Sequence, residues 1–340
     1  MMLPTQKQSR ILAEILPMHN LDNYREAFVS ALMQGIPATG PIQLYDPIRY
    51  ILGIGGKRVR PMLTLMSAEI FGASYQRALP AALAVEVFHN FSLVHDDIMD
   101  QAPLRRGHQT VHLKWNTNTA ILSGDAMLIL AYRHFEDYEA ETFSALAKLF
   151  SKTAIEVCEG QQLDVDFGTR NDVSEAGYLE MIRCKTAVLL GAALKMGGIV
   201  AGTSSRNCNA IYDYGVNLGM AFQIQDDLLD AFGDPATFGK QVGGDILENK
   251  KTYLYIKALE LLDEAGRSSL AHYFSSDENT PGKVASVTKL FTRSGADKAA
   301  ERAISQFTNK AFDCIKQMEI PSDAAQTLRN FGESLMMRRV

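Results

Sequence analysis

One hydrophobic period runs through nearly the whole chain. "RPMLTLMSAEIFG", "ALPAALAVEVFHNFSLVHDDIMD", "TAILSGDAMLILAYRHFEDY", "FSALAKLFSKTAIEVCEGQQLDVDF" and "YLYIKALELLDEAG" all place apolar residues at i, i+3, i+4 and i+7. Almost nothing alternates with period two, so the apolar faces have only other helices to pack against. The pattern breaks at residues 35–41, 53–61, 169–177, 233–245 and 275–282. None of these breaks is long enough to read as a domain linker. The expectation is an all-α chain forming one large domain over residues 1–340, with ten or more helices, several long enough to cross the molecule.

Against that background, one stretch is out of character. In "VFHNFSLVHDDIMDQAPLRRG" an apolar helix runs into Asp96, Asp97 and Asp100, and then into Arg105 and Arg106. The same DDxxD spacing returns in "FQIQDDLLDAFGDP" as Asp226, Asp227 and Asp230, again closing an apolar run. Positions i and i+4 share a helix face, so Asp96/Asp100 and Asp226/Asp230 form two carboxylate pairs. A single DDxxD is ordinarily a solvated acidic face. Two copies flanked by core-like sequence need cations between them, because carboxylates are rarely buried uncompensated. Oxygen donors suit hard divalent ions, and Mg²⁺ favours one or two carboxylates completed by phosphate oxygens and water. A phosphorylated substrate would supply the missing ligands.

The cations fit such a substrate. Lys57, Arg58 and Arg60 follow a Gly-Gly turn in "GGKRVRP"; Lys185 lies in "RCKTAVLL", Lys240 in "TFGKQVGGD", and Lys250 and Lys251 in "ENKKT". Arginine grips phosphate oxygens as a fork, and lysine acts as a mobile point charge. No P-loop is present, since "GGK" is not GxxxxGK[ST]. Nor does the chain suit general nucleic-acid binding, with a net charge of −5. The four cysteines form no CxxC pair and read as reduced thiols of a cytoplasmic protein. The N-terminal sequence has no secretory pattern, and "TAVLLGAALKMGGIVAG" is too short and interrupted for a membrane span, so it reads as a buried helix with close neighbours.

Taken in order, GGKRVRP, DDIMD with RRG, KT, FQIQDDLLD and GKQVGGDILENKKT resemble the trans-isoprenyl diphosphate (polyprenyl) synthases, most closely the geranylgeranyl diphosphate synthases, over about residues 50–255. The resemblance implies the isoprenoid synthase fold around a central cavity, usually as a homodimer. It implies a transferase that adds isopentenyl diphosphate to an allylic diphosphate with about three Mg²⁺ ions bound alongside diphosphate. Position by position, Lys57, Arg60, His89 and Arg106 match the isopentenyl diphosphate site. Asp96 and Asp100 match ligands of two metal ions; Asp226, with Asp230 near it, matches those of a third. Arg105, Lys185, Thr186, Gln223, Lys240 and Lys250 match the surroundings of the allylic diphosphate, and Asp97 and Asp227 complete the catalytic motifs. Arg338 and Arg339, in the final "MMRRV", would add a closing flap.

Two other classes compete. A class I terpene cyclase also uses an aspartate-rich motif and magnesium, but needs no GGKRVRP site and usually carries an Asn/Asp, Ser/Thr and Glu second motif. A non-catalytic partner subunit tends to have lost aspartates, whereas both motifs are intact here. Chain length should be set just upstream of the first motif. Phe91 lies about 7.5 Å back along the helix axis from Asp96, and Ser92 lies one turn back on nearly the same face. A bulky Phe91 beside a small Ser92 resembles geranylgeranyl diphosphate synthases, favouring a C20 product over C15.

Overall fold

The computed structural model describes residues 21–37, 39–170, 172–233, 242–275 and 282–337. Lys240, Arg338 and Arg339 lie outside them. The helices run α1 Leu21–Gln34, α2 Ile42–Gly53, α3 Val59–Ile70, α4 Tyr75–Met99, α5 Val111–Lys114, α6 Thr117–Arg133, α7 Ala140–Thr169 and α8 Glu175–Ile182. They continue as α9 Val188–Ala201, α10 Ser205–Phe232, α11 Gly244–Leu247, α12 Tyr253–Leu261, α13 Glu264–Ser275, α14 Lys283–Ser294, α15 Ala296–Ile315 and α16 Ser322–Met336. The expectation of ten or more helices holds among the described residues.

The chain divides into two compact units, each assembled from separate segments. The first comprises residues 1–153, 189–212 and 317–327. Its axis is α4, which packs against α3 and α6. Phe88 of α4 meets Phe150 edge-on at 5.1 Å, and Phe150 meets Phe135 at 5.3 Å; all three rings are buried. Such aromatic edges add modestly to the apolar burial that holds the helices together. Ser67 of α3 donates to the Leu194 carbonyl of α9 at 2.6 Å, which satisfies a buried hydroxyl where the two helices meet.

The second unit comprises residues 154–188, 213–316 and 328–340. Its core gathers Tyr178, Ile224, Leu228, Tyr253, Leu254, Leu270 and Phe291. Tyr214 on α10 is fully buried, and its hydroxyl donates to the Leu328 carbonyl at 2.6 Å. A buried tyrosine hydroxyl needs such a partner.

Two local features depart from the helical period. Leu104–Arg105 and His108–Gln109 form a two-stranded antiparallel hairpin. Its turn residues, Arg106 and Gly107, have φ of 54° and 77°, the pairing that a two-residue hairpin turn requires. The second departure is a π-helical turn over Arg183–Ala187, inserted between α8 and α9. It joins them into one apolar stretch, Glu175–Ala201, long enough on length and composition to cross a membrane. The run is therefore longer than the sequence suggested. As expected of a buried helix, 72% of its apolar window lies inside the protein.

Candidate active site

The first aspartate motif closes α4. Asp96 is half-buried and Asp100, the C-cap, is exposed. Asp97 turns the other way, with its side chain 1% exposed, and accepts from Arg105 Nε at 2.9 Å. Arg105 also reaches Asp96 at 3.4 Å. Burial holds the Asp97 carboxyl above the usual carboxylate range, with Asp96 adding to the effect and Arg105 opposing it. The hairpin explains the split between the two arginines. Arg105, in a strand, folds back onto the aspartates, while Arg106, in the turn, donates to the Gly55 carbonyl. Arg105, matched to the allylic diphosphate by sequence, here braces the first aspartate motif.

Arg106 thereby meets the glycine loop before α3. Gly56 has φ 140°, a conformation that favours glycine, and a Cβ there would sit 2.8 Å from the Arg106 guanidinium and displace it. Arg58 caps α3 in the left-handed region, φ 50°, and is buried. It donates to Glu86 Oε1 and the Leu52 carbonyl. That leaves Lys57 exposed on one side of it and Arg60 half-buried on the other.

Arg60 Nη1 lies 3.1 Å from His89 Nε2. A guanidinium can only donate, so Nε2 accepts and the ring proton belongs on Nδ1. Desolvation pushes the His89 pKa well down, and Arg60, Arg106, Arg105 and Arg58 add to the effect, keeping the ring neutral. Desolvation likewise lowers Arg60 to about 10, with Arg106 adding to it and Glu86 opposing. The buried Arg60 Nε has no hydrogen-bond partner. Crowded cations around an unsatisfied donor make a surface suited to an anion.

Phe91 and Ser92 lie on α4 upstream of Asp96. The Phe91 ring is edge-on to His95 at 4.8 Å and tilted to Phe88 at 5.5 Å. Ser92 Oγ donates to the His89 carbonyl at 2.9 Å.

In the second unit, α10 carries the other motif. Asp226 is half-buried, whereas Asp227 and Asp230 are buried. Asp227 accepts from the Tyr178 hydroxyl, from the Tyr253 backbone N–H at 3.1 Å and from Gln223 Nε2 at 3.2 Å. Burial, reinforced by Asp245, raises its pKa to about 8. Asp230 Oδ2 accepts the Asp245 N–H at 3.0 Å. Two of the three aspartates therefore hold the Gly243–Tyr253 loop, which carries Lys250. Lys250 Nζ pairs with Glu248 at 2.7 Å and lies 3.9 Å from Asp245.

The π-turn presents Lys185 and Thr186. Lys185 Nζ pairs with Asp164 at 2.5 Å, and Thr186 Oγ1 donates to Gln223 Oε1 at 3.1 Å. Gly160 of α7 lies against the Lys185 backbone so closely that a Cβ would overlap it. A wider i→i+5 turn bulges toward its neighbour, and π-turns recur at functional sites.

Sequence reasoning missed Glu86, Tyr178, Asp164 and Asn249. Glu86 left one signal: it is the lone acid inside "ALAVEVF", where a buried carboxylate demands a cation. The others gave none, because their partners come from distant parts of the chain.

Among the described residues no three His, Cys, Asp or Glu side chains converge as a ready metal cage. The donors are carboxylates at i and i+4 on single helices. That set suits a hard ion completed by phosphate oxygens, and the residues fit magnesium on those terms.

Comparison with known proteins places the chain in a family. The sequence profile described as Polyprenyl synthetase matches residues 41–291. A geranylgeranyl diphosphate synthase of Methanosarcina mazei is 43% identical over 233 residues, covering 68% of this chain and 72% of that protein. A geranylfarnesyl diphosphate synthase of Natronomonas pharaonis is 35% identical over 336 residues, covering 92% and 95%. The crystal structure of a geranylgeranyl pyrophosphate synthase, 53% identical, superposes with a TM-score of 0.91 over 95% of this chain and all of the other. The neighbours share the all-α architecture, and the paired aspartates, the glycine-loop cations and the lysine loop stand within or beside the matched span: the chain belongs to the polyprenyl synthetase family.

Proposed function

We propose that this protein is a short-chain prenyltransferase that condenses isopentenyl diphosphate with allylic diphosphates and stops at geranylgeranyl diphosphate. The observation that carries the reading is a pair of distinct charged centres in the first unit, one cationic and one acidic. One is the Arg60–His89–Arg106 cluster with its unsatisfied Arg60 Nε; the other is the Asp96/Asp100 face braced by Arg105. A cyclase, which takes one diphosphate, has no use for the first.

On this reading Lys57, Arg60 and Arg106 hold isopentenyl diphosphate, with neutral His89 fixing the Arg60 guanidinium. Asp96, Asp100 and Asp226 would hold magnesium, and bound magnesium supplies Lewis-acid stabilisation of the departing diphosphate. Asp230 accepts the Asp245 N–H of the lysine loop, so Asp226 would be the main ligand on its helix, with Asp230 in a supporting place. Lys185, Thr186, Gln223 and Lys250 would surround the allylic diphosphate, and the resemblance implies the same role for Lys240. Its C–O bond breaks, leaving an allylic cation and free diphosphate. The double bond of isopentenyl diphosphate attacks that cation, and the released diphosphate takes the proton. Apolar α4 side chains keep water from quenching the cation.

The test is product analysis of the purified chain with isopentenyl diphosphate and each allylic starter, for the wild type and two floor variants. The wild type should accumulate C20. Phe91→Ala should lengthen the products and Ser92→Phe should shorten them. Phe91 also packs on Phe88, so Phe91→Ala should lose about 3 kcal/mol of stability as well. Lost stability with unchanged products would make Phe91 core packing only, and a cyclic hydrocarbon from one diphosphate would replace the whole reading.

Four of the five boundaries between the two units fall within α7, α9, α10 and α16, and the fifth just after α15, which supports one domain over 1–340. A cytoplasmic setting suits the four free cysteines, three of them buried. A homodimer is supported by α6, which leaves Leu122 60% and Ile129 61% exposed. Two turns apart, they lie on one helix face. Leu122→Glu combined with Ile129→Glu should convert a dimer to a monomer in sedimentation velocity. An unchanged mass would place any interface elsewhere.

A further inference from the structure

Three lysines stand close to the second motif's loop: Lys250 and Lys251 in "ENKKT", and Lys283 at the start of α14. In sequence they look interchangeable, but the structure gives each a different task. Lys250 is exposed and reaches the acids of its own loop, Glu248 and Asp245. Lys251 turns away and donates to the last carbonyls of α7: Phe167 at 3.1 Å, Gly168 at 3.3 Å, and Arg170 just beyond the helix. An ammonium has three N–H groups, and here all three meet carbonyl oxygens at the negative end of a long helix.

Lys283 is stranger. It is 2% exposed and sits in the first turn of α14, where the helix dipole disfavours a cation. Burying an ammonium there is costly without a dedicated partner. Its Nζ donates to Asn249 Oδ1 at 2.6 Å. Asn249 has φ 56°, a left-handed conformation that asparagine tolerates better than most residues. The residues on either side of Lys250 are thus fixed in opposite directions, Asn249 to α14 and Lys251 to the end of α7.

We propose that Lys283 and Lys251 are positioning residues that clamp the Asn249–Lys251 turn from both sides, so that Lys250 presents its ammonium to the allylic diphosphate. The proposal rests on the reading of Lys250 as a ligand of that diphosphate. A lysine arm costs side-chain entropy to immobilise. With the backbone fixed on both sides, only that arm has to exchange Glu248 for the substrate when it arrives.

The test is steady-state kinetics of the full-length enzyme, with KM measured separately for the allylic and isopentenyl substrates. Asn249→Gly keeps the left-handed backbone and removes the acceptor; Lys251→Met removes the cap on α7; Asn249→Asp keeps an acceptor for Lys283. Asn249→Gly and Lys251→Met should each raise the allylic KM about tenfold and leave the isopentenyl KM within about twofold. Asn249→Asp should hold the allylic KM near that of the wild type. In a Lys250→Ala background, Asn249→Gly should add nothing further, because the group being positioned is gone. If both KM values rise together, or the two factors multiply, the clamp does not act through Lys250 and the proposal falls. If Lys250→Ala leaves the allylic KM unchanged, the ligand reading of Lys250 fails first, and the clamp fails with it.

Discussion

Asp96→Ala should lower turnover by about 10³-fold while the protein keeps its fold, because a group that anchors charge in the transition state acts on rate rather than stability. Asp226→Ala should behave the same way. The neighbouring aspartates supply the contrast. Asp97, 1% exposed against Arg105, and Asp227, held by Tyr178 and the Tyr253 N–H, belong to the interior. Asp97→Ala or Asp227→Ala should lower the melting temperature markedly, since each leaves buried donors or a cation without its acceptor. Turnover at saturating magnesium, measured with thermal melts on all four variants, separates the two groups. Near-normal turnover in both Asp96→Ala and Asp226→Ala would overturn their proposed role as magnesium ligands. A stable, fully active Asp97→Ala would dissolve the distinction within the motif.

Glu86→Leu should destabilise the protein by about 3–5 kcal/mol, the cost of leaving a buried charge unpaired. Glu86 is 2% exposed and takes the Arg58 guanidinium, along with an amide N–H of Asn90 at 3.0 Å. Arg58 is itself the left-handed residue between Lys57 and Arg60, so its pairing with Glu86 holds that turn. The variant should therefore lose affinity for isopentenyl diphosphate as well as stability. Adding Arg58→Leu should restore part of the stability, because two apolar residues replace one orphaned charge. It should not restore the substrate affinity. Denaturant melts and the isopentenyl KM of the single and double variants are the measurements. Equal stability of the single and double variants would show that Arg58 finds another partner.

The period-3.6 pattern was enough to read an all-α chain, and DDxxD repeated after apolar runs was enough to find the two acidic centres. Which aspartate does what was not legible. The four positions 96, 97, 226 and 227 carry the same side chain, and burial separates them only once α4 and α10 are packed. The arginine pair shows the same limit. "RRG" is one cationic patch in sequence, but the turn at Arg106 and Gly107 sends its two members to different targets. Long-range partners such as Tyr178 for Asp227 and Asp164 for Lys185 leave no local trace, because their contacts close only in the folded chain.

The π-turn at Arg183–Ala187 is also a phase error. An α-helix turns about 100° per residue, and one residue too many in a turn leaves everything after it rotated by about that angle against everything before. A helical wheel drawn unbroken through Glu175–Ala201 therefore misassigns the facing of one half whichever half is used to set it. Deleting a single residue from the turn would not merely shorten the run. It would re-index α9 against α8, turning all fourteen residues of a helix buried nearly all round away from the neighbours they pack against. The segment that offers Lys185 and Thr186 is thus also the register key of the helix that follows it.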